Sequence, residues 1–263
     1  MSGRTGYEAL PGVFHIRDHM GVYMTLLAGE REALLIDTGY GLENPMEYVR
    51  TLTDRPVRVL LTHAHHDHAL GARWFEKTWM FPEDREAFSV YSGPDIRRNV
   101  ARQAAEKGIH VSDEFLTATI PVPEPAEEGT LDLGGMTAQI ILCPGHTPGS
   151  AVVYVPERKL LITGDNWNPC TWLFFPEALP AQQFRENMRR VMQLPFEKVI
   201  CPHREPVYPR EMIDAFFAGL TDDVLRAARP TEMGWDIDTR EAVPAEGQQL
   251  VFDYGKTALD TGR

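Results

Sequence analysis

Short apolar runs separated by glycine or charged turns dominate the first forty residues of the chain. Runs at 13–16, 22–27 and 33–36 have the length and β-branched content of strands and predict a β-meander. Residues 43–53 then place apolar side chains at helical spacing, and the run 57–61 predicts a buried strand. The first part of the chain is therefore predicted to be mainly sheet, and its last strand ends immediately before Thr62 and His63.

The same signals predict the remaining elements. In chain order these are a short helix at 70–77, a strand at 78–81, a charged helical stretch at 83–108 interrupted at 92–94, a Pro/Glu-rich loop at 121–129, strands at 136–142, 151–155 and 160–162, a helix at 181–193, a strand at 198–201, a helix at 209–228 and a strand at 249–254 within a polar tail. The stretch at 83–108 is a candidate lid.

No internal repeat, low-complexity tract or linker divides the chain. We therefore predict one domain, 1–263, built of two similar β-then-α halves that meet near Gly129. A helical insert at about 83–128 and a C-terminal helix plus tail at 209–263 complete it. At 263 residues the chain can bury a substantial core without disulfides or structural metal.

The charge composition of the chain disfavours some classes of binding partner. The chain carries 26 basic and 38 acidic side chains, a formal net charge of -12, which disfavours nucleic acid and anionic membrane as ligands. The N-terminus lacks the apolar core of a secretory signal, and no run approaches the roughly 18 apolar residues needed to span a bilayer. These features predict a cytoplasmic protein.

The three cysteines lack metal-binding spacing and are expected to be small buried residues.

A histidine cluster carries the first chemical signal. Four of the nine histidines fall within positions 63–68, together with Asp67. In an extended segment His63 and His65 project to one side, and a following turn can aim Asp67 and His68 at an adjacent point. This spacing suits two metal ions, and the side chain of His66 is expected to point away. A surface histidine tract is the alternative, but such tracts lie in polar tails and not after an apolar strand.

Three further candidates follow apolar strands. His146 lies in a Pro/Gly turn, Asp165 ends the run Leu-Leu-Ile-Thr-Gly-Asp, and His203 follows the strand at 198–201. Taken singly, each residue has an ordinary explanation as a turn, cap or hydrogen-bonded polar residue.

Taken together, these residues resemble the metallo-β-lactamase-fold superfamily in order and spacing. The motifs are His63-x-His65-x-Asp67-His68, the Gly-His-Thr-Pro-Gly turn at His146, Thr-Gly-Asp at Asp165, and His203. The resemblance runs from the early strands to about residue 208. It implies an α+β fold in which two mixed sheets pack face to face as an αββα sandwich with helices outside.

The resemblance also implies a ligand set. His63, His65 and His146 would hold one metal ion, Asp67, His68 and His203 a second, and Asp165 would bridge them. Asp37, in a strand-end Asp-Thr-Gly turn, resembles the aspartate that braces the ligand loops. An ordinary turn aspartate is the alternative for Asp37.

The expected chemistry is hydrolysis. Two divalent ions, zinc first with iron or manganese as alternatives, can share a water and generate a bridging hydroxide that attacks a carbonyl, while Asp67 assists the leaving group. The resemblance is greatest to glyoxalase II and lactonase-like branches, which implies a small ester, thioester or lactone as substrate. The aromatic run at 167–175 is a candidate pocket wall through Trp167, Trp172 and Phe174. Core or interface packing is the alternative for these side chains.

Two other functions stay open at this stage. A mononuclear iron oxidoreductase of the persulfide dioxygenase type resembles the same fold and would use only His63, His146 and Asp165. A non-catalytic metal-binding protein could also keep these ligands. The sequence leaves homo-oligomerisation and the physiological substrate open.

Overall fold

A computed structural model describes residues 5–234 and 236–259. Its first half forms a seven-stranded sheet whose strands are neighbours in chain order. These strands are β1 (Thr5–Leu10), β2 (Val13–Arg17), β3 (Tyr23–Ala28), β4 (Ala33–Ile36), β5 (Val57–Leu60), β6 (Trp79–Met80) and β7 (Glu124–Pro125). The first four strands are antiparallel, as the predicted meander requires, and β4 to β7 are parallel.

The helices of this half connect its parallel strands. They are α1 (Pro45–Leu52), α2 (His66–Ala69), α3 (Arg85–Tyr91), α4 (Pro94–Glu106) and α5 (Asp113–Thr117). The predicted helix at 70–77 is instead a short 3-10 turn, Leu70–Trp74. The predicted interruption at 92–94 is confirmed, because Pro94 begins α4 immediately after Gly93.

The second half forms a six-stranded sheet in the order β14-β13-β11-β10-β9-β8. Its strands are β8 (Gly129–Asp132), β9 (Thr137–Leu142), β10 (Ala151–Val155), β11 (Leu160–Ile162), β13 (Lys198–Ile200) and β14 (Tyr208–Pro209); the intervening β12 is Cys170–Leu173. β11 and β13 are parallel neighbours, so their carboxyl ends meet at one edge. Helix α6 (Ala181–Met192) lies between β12 and β13 in the chain.

The two sheets pack face to face because their strands are apolar on both faces. In β4, Leu34 and Ile36 enter the layer shared with the second sheet, whereas Leu35 faces the outer layer that contains Val49 of α1. In the second sheet, Leu161 of β11 packs in the outer layer with α6. The predicted αββα sandwich of the α+β class is therefore confirmed.

The C-terminal region departs from the predicted helix and polar tail. The helix predicted at 209–228 is two helices, α7 (Arg210–Gly219) and α8 (Asp222–Arg226). A third sheet follows, in the order β12-β17-β16-β15, with β15 (Arg229–Pro230), β16 (Thr239–Ala245) and β17 (Gln248–Asp253). Of the last three strands, the sequence pattern predicts β17 alone. In this sheet β12 lies parallel to β17, which ties the segment after Asp165 to the end of the chain.

None of the helices in the described part of the chain has the length and apolar character needed to cross a bilayer.

Candidate metal centre

The seven predicted ligands lie where strands end. β5 leads into the segment that carries His63 and His65, and His65 caps α2, which contains Asp67 and His68. The turn between β9 and β10 carries the imidazole at position 146, and the segments after β11 and β13 carry the carboxylate at 165 and the imidazole at 203. Ligands from both sheets therefore converge at one edge of the sandwich.

One group of nitrogens belongs to His63, His65 and His146, whose side chains are all buried. Their candidate ligand atoms lie within 4.8 Å of one another. The Nδ1 atom of His65 lies 2.8 Å from Nε2 of His146. Two imidazoles that face each other with ring nitrogens at this distance have the arrangement expected of ligands to one cation.

A second group consists of Asp67, His68 and His203, again with candidate ligand atoms within 4.8 Å of one another. Asp165 lies between the groups: its Oδ2 is 3.0 Å from Nε2 of His203 and 3.5 Å from Nε2 of His146, and its Oδ1 is 3.6 Å from Nε2 of His68. This is the position that a bridging carboxylate would take. The structure thus brings together all seven predicted ligands.

Three inward-facing atoms in these groups have no hydrogen-bond partner although they are buried: Nε2 of His63, Nε2 of His68 and Oδ1 of Asp165. A buried polar atom without a partner carries a substantial desolvation cost. Nitrogen and carboxylate oxygen donors that converge in this way fit a divalent cation such as zinc, iron or manganese. The donor set therefore supports divalent metal binding.

Four of the imidazoles each have a polar partner at the ring nitrogen that points away from the other candidate ligands. His68 Nδ1 donates to Oδ2 of Asp37 at 2.9 Å, His146 Nδ1 donates to the carbonyl of Trp172 at 2.6 Å, and His65 Nε2 donates to Glu177 at 2.6 Å. His63 Nδ1 lies 3.0 Å from the Thr62 hydroxyl, which itself donates to Asp37. These contacts place the proton on the outer nitrogen and leave the inner nitrogen with its lone pair, as a metal ligand requires.

Asp37 occupies the position expected of a bracing aspartate. Its side chain is buried, and its Oδ1 accepts a hydrogen bond of 2.7 Å from the backbone N–H of Thr62, while Oδ2 accepts from the Thr62 hydroxyl and from His68. Its backbone φ of 64° lies in the left-handed region, which is uncommon for a residue other than glycine. One carboxylate therefore contacts both the strand end and the second group of ligands.

His66, which was excluded from the predicted ligands, lies outside both groups. Its ring packs edge-on against Tyr40, with centroids 5.4 Å apart, and faces Tyr91 at 6.2 Å.

The electrostatics of the site favour the ligand forms of His63, His146 and Asp165. Burial lowers the pKa of His63 well below its ordinary value and that of His146 to about 4, so both rings are neutral at pH 7. Burial alone would raise the pKa of Asp165, but the imidazoles of His203 and His68 outweigh it, and the pKa of this carboxyl lies well below its usual range. Burial alone would also lower the pKa values of His68 and His203, but the carboxylates of Asp67 and Asp165 outweigh it and raise both. The site thus combines two neutral imidazoles, an ionised carboxylate and two imidazoles whose protons a bound cation would displace.

Asp84 was missed by the sequence reasoning. It is fully buried, and its carboxylate accepts hydrogen bonds from Ala64 N (2.9 Å), Thr147 Oγ1 (2.7 Å) and Gly149 N (2.6 Å). It therefore ties the His63–His68 segment to the turn that carries His146. A Cβ atom on Gly149 would lie 2.7 Å from the Asp84 carboxyl, so this contact requires glycine. The motif Pro-Glu-Asp around Asp84 offers no signal for this role.

A cavity of about 360 Å³ opens beside the second group of ligands. Its lining includes Asp67, Asp165 and His203, the aromatic rings of Tyr40 and Trp172, and the guanidinium-bearing Arg204. Trp172 is 40% exposed, which leaves its ring available for contact with a ligand.

The other two aromatic residues predicted for the pocket lie elsewhere. Trp167 is fully buried in the core, where its indole N–H donates to Gln248 Oε1 at 3.1 Å, so it does not line the cavity. Phe174 is 2% exposed and stacks on Phe175 at 4.6 Å. The neighbouring Phe175 is the ring that reaches the imidazoles, with centroids 4.5 Å from His65 and 5.5 Å from His146.

Comparison with known proteins agrees with this geometry. A family model described as the metallo-beta-lactamase superfamily matches residues 17–203. The hydroxyacylglutathione hydrolase of Rhodobacter capsulatus is 32% identical over 164 residues, covering 60% of this chain and 52% of that protein. The acyl-coenzyme A thioesterase MBLAC2 of Bos taurus is 25% identical over 156 residues, covering 53% of this chain and 56% of that protein. The chain thus spans about half the length of these curated relatives.

Among solved structures, the metallo-beta-lactamase family protein TTHA1429 from Thermus thermophilus superposes with a TM-score of 0.59 at 21% identity. The alignment covers 83% of this chain and 82% of that one. At this identity the likeness concerns the fold alone.

Proposed function

Because the chain belongs to the metallo-β-lactamase superfamily, whose members are mostly hydrolytic, we propose that it is a metal-dependent hydrolase of small esters, thioesters or lactones. The observation that carries this proposal is the pair of ligand groups with Asp165 between them, beside an open cavity. Relatives named acyl-coenzyme A thioesterase and hydroxyacylglutathione hydrolase support an acyl substrate of this kind.

In the proposed centre, His63, His65 and His146 would hold one divalent ion, Asp67, His68 and His203 would hold a second, and Asp165 would be shared between them. When bound, such ions would supply an activated water and polarise a substrate carbonyl. The Asp67 carboxylate, which lines the cavity, is placed to take a proton or to assist departure of the leaving group.

The cavity lining supports a substrate with a small apolar group. Trp172 and Tyr40 offer aromatic faces, and Met20 and Val22 add aliphatic surface. The guanidinium of Arg204 at the same lining adds a positive charge that suits a carboxylate or another anionic group on the substrate. We propose that the acyl or alcohol portion of the substrate packs against Trp172.

The test uses protein loaded separately with zinc, manganese or iron and a panel of nitrophenyl esters, acyl thioesters and lactones. We expect about two metal ions per chain and measurable turnover of at least one class. His203→Ala should lower kcat/KM at least about 100-fold, because it removes a ligand of the second ion. The matched control is His110→Ala, at an exposed histidine outside the ligand groups, which should keep wild-type activity.

A mononuclear iron oxidoreductase gives a different result. It would bind one iron, consume oxygen with a persulfide substrate, and keep its activity in His203→Ala. The group formed by Asp67, His68 and His203 supports the hydrolase instead. Absence of hydrolysis across the panel with both ions bound would reject the proposed function.

A further inference from the structure

One short segment, residues 172–178, contacts both His65 and His146. The carbonyl of Trp172 accepts a hydrogen bond from His146, and the ring of Phe175 packs on both imidazoles. The carboxylate of Glu177 completes these contacts through His65. Two of the three imidazoles in the first ligand group therefore depend on this segment for their orientation.

The contact between Glu177 and His65 is short and shielded from water. The Nε2–Oε1 distance is 2.6 Å, and the exposed fractions of the two side chains are 4% for His65 and 16% for Glu177. A second hydrogen bond joins Glu177 to the hydroxyl of Tyr91, at the end of α3 in the insert, and the Tyr91 ring packs on His65 with centroids 4.5 Å apart. A carboxylate that accepts hydrogen bonds from two groups in this way has little freedom to leave the imidazole.

The segment itself is held by the end of the chain. The ammonium group of Lys256 donates to three carbonyls, those of Phe175, Pro176 and Ala178, at 2.8 Å each. The strand β17, which ends three residues before Lys256, pairs in parallel with β12, which begins the same segment. Lys256 lies outside the residues 17–203 that the family model matches.

We propose that Glu177 is a positioning residue that orients His65 so that its Nδ1 atom faces the metal. Lys256 in turn holds the loop that carries Glu177 in place, so the C-terminal segment contributes to the metal centre. The inference rests on the metal centre of the proposed function. The His65 Nε2–H bond to Glu177 sets the tautomer, keeps the Nδ1 lone pair directed at His146 Nε2, and makes the imidazole a stronger donor. The three hydrogen bonds that Lys256 donates to backbone carbonyls of this loop fix the position of Glu177.

The experiment measures metal affinity of the full chain by competition with a chromophoric chelator, using zinc and cobalt. Glu177→Gln should weaken binding of the tighter ion by about 10- to 100-fold, as loss of such a carboxylate partner commonly does. Lys256→Met should weaken it less, by about 3- to 10-fold, since the loop is loosened but the carboxylate remains. The absorption spectrum of the cobalt-loaded protein should change in both variants, because the ligand geometry changes.

The two substitutions should not be additive. If Lys256 acts through Glu177, adding Lys256→Met to Glu177→Gln should weaken binding by less than about twofold further. The matched controls are Glu186→Gln and Lys159→Met, which remove exposed ion-paired charges on other surfaces and should leave affinity and spectrum unchanged. Tyr91→Phe and Glu177→Asp serve as milder second variants if Glu177→Gln does not fold.

Wild-type affinity in Glu177→Gln would overturn the proposal, and so would full additivity of the two substitutions. A lower melting temperature of the metal-free variants with unchanged metal affinity would assign both residues a purely structural role and also overturn it. Because the measurement uses no substrate, its failure can be distinguished from failure of the proposed function. If metal affinity depends on Glu177 but the protein hydrolyses no substrate, only the proposed function is rejected.

Discussion

At the scale of single residues, His15 links the first hairpin to the candidate metal centre. Its ring stacks on Tyr23 with centroids 4.4 Å apart, and its Nε2 donates to the carbonyl of Arg204 at 3.1 Å, directly after the candidate ligand His203. The backbone N–H of Tyr23 donates to the carbonyl of Pro202. The first sheet therefore supports the loop of the second sheet that carries the last ligand.

Burial lowers the pKa of His15 to about 4 from an ordinary value near 6.5. Above about pH 7.5 the ring is neutral in both the folded and the unfolded chain, so it does not affect the free energy of unfolding. As the pH falls toward 4, the unfolded chain takes up the proton first, and the free energy of unfolding decreases. We predict that His15→Phe, which keeps the stack on Tyr23, shows a smaller loss of stability than wild type between about pH 7.5 and 5, by about 2 kcal/mol.

Denaturant unfolding at the two pH values checks this prediction. His110→Phe, at an exposed histidine, should keep the wild-type dependence. A His15→Phe variant with the same loss of stability as wild type would show that His15 does not contribute to the acid sensitivity.

At the scale of elements, β12 places its side chains alternately. Thr171 and Leu173 are buried, whereas Cys170 and Trp172 line the cavity. This alternation follows from the two-residue period of a strand. The parallel pairing of β12 with β17 fixes which of the two faces of β12 points to the cavity. A strand near the end of the chain therefore determines which side chains of the aromatic run reach the cavity.

Trp172→Ala should raise the KM of the true substrate by roughly 3- to 30-fold, because it removes the exposed aromatic face. The free energy of unfolding should fall by less than about 1 kcal/mol, since the side chain is 40% exposed. Steady-state kinetics and denaturant unfolding measure the two effects. Val243→Ala, which removes another exposed apolar side chain of the same sheet, should leave KM unchanged. Unchanged KM in Trp172→Ala would show that the substrate does not contact this ring.

At the scale of the whole molecule, the candidate ligands come from both sheets. His63 to His68 follow a strand of the first sheet, whereas His146, Asp165 and His203 follow strands of the second. Metal ions held by both sets would cross-link the two halves of the sandwich. Binding to the folded chain alone then adds to the stability of the complete structure.

Removal of metal by a chelator should lower the melting temperature by roughly 5–15 °C, because saturating a site at about 1,000 times its Kd contributes about 4 kcal/mol. Adding back zinc, manganese or iron should restore it, and magnesium, which prefers oxygen ligands, should restore it least. Differential scanning calorimetry provides the measurement. An unchanged melting temperature after verified metal removal would argue against this cross-link.

Several elements could be predicted because their signals are local. The break between α3 and α4 is marked by Gly93 and Pro94, and the strands that lead to the candidate ligands are mostly apolar runs. The break between α7 and α8 could not be predicted in this way: a Cβ at Gly219 would lie 1.8 Å from the carbonyl oxygen of Pro244, so packing on β16 constrains the end of α7. The strand β16 itself is mixed in polarity and exists through its pairing with β17.

The candidate site also contains residues that local sequence predicts and residues whose role only the tertiary structure reveals. The seven candidate ligands could be predicted from local sequence, because four lie within six positions and the others follow strands in recognisable turns. Glu177 and Asp84 were missed because each acts on a partner far away in the chain: Glu177 contacts His65 across 112 positions, and Asp84 contacts Thr147 across 63. Ordinary carboxylates in loops give no local sign of such contacts.

The sequence by itself therefore determined most of the strands and helices up to residue 203, since hydrophobic periodicity acts over a few neighbouring positions. Through its resemblance to a known family it also predicted the sandwich and the candidate ligand side chains. The tertiary structure alone decided which groups orient those ligands, which of the aromatic side chains line the cavity, and that the end of the chain holds the loop of Glu177. These features depend on close packing and on hydrogen bonds between distant segments, whose geometry exists only once both sheets and the third sheet have assembled.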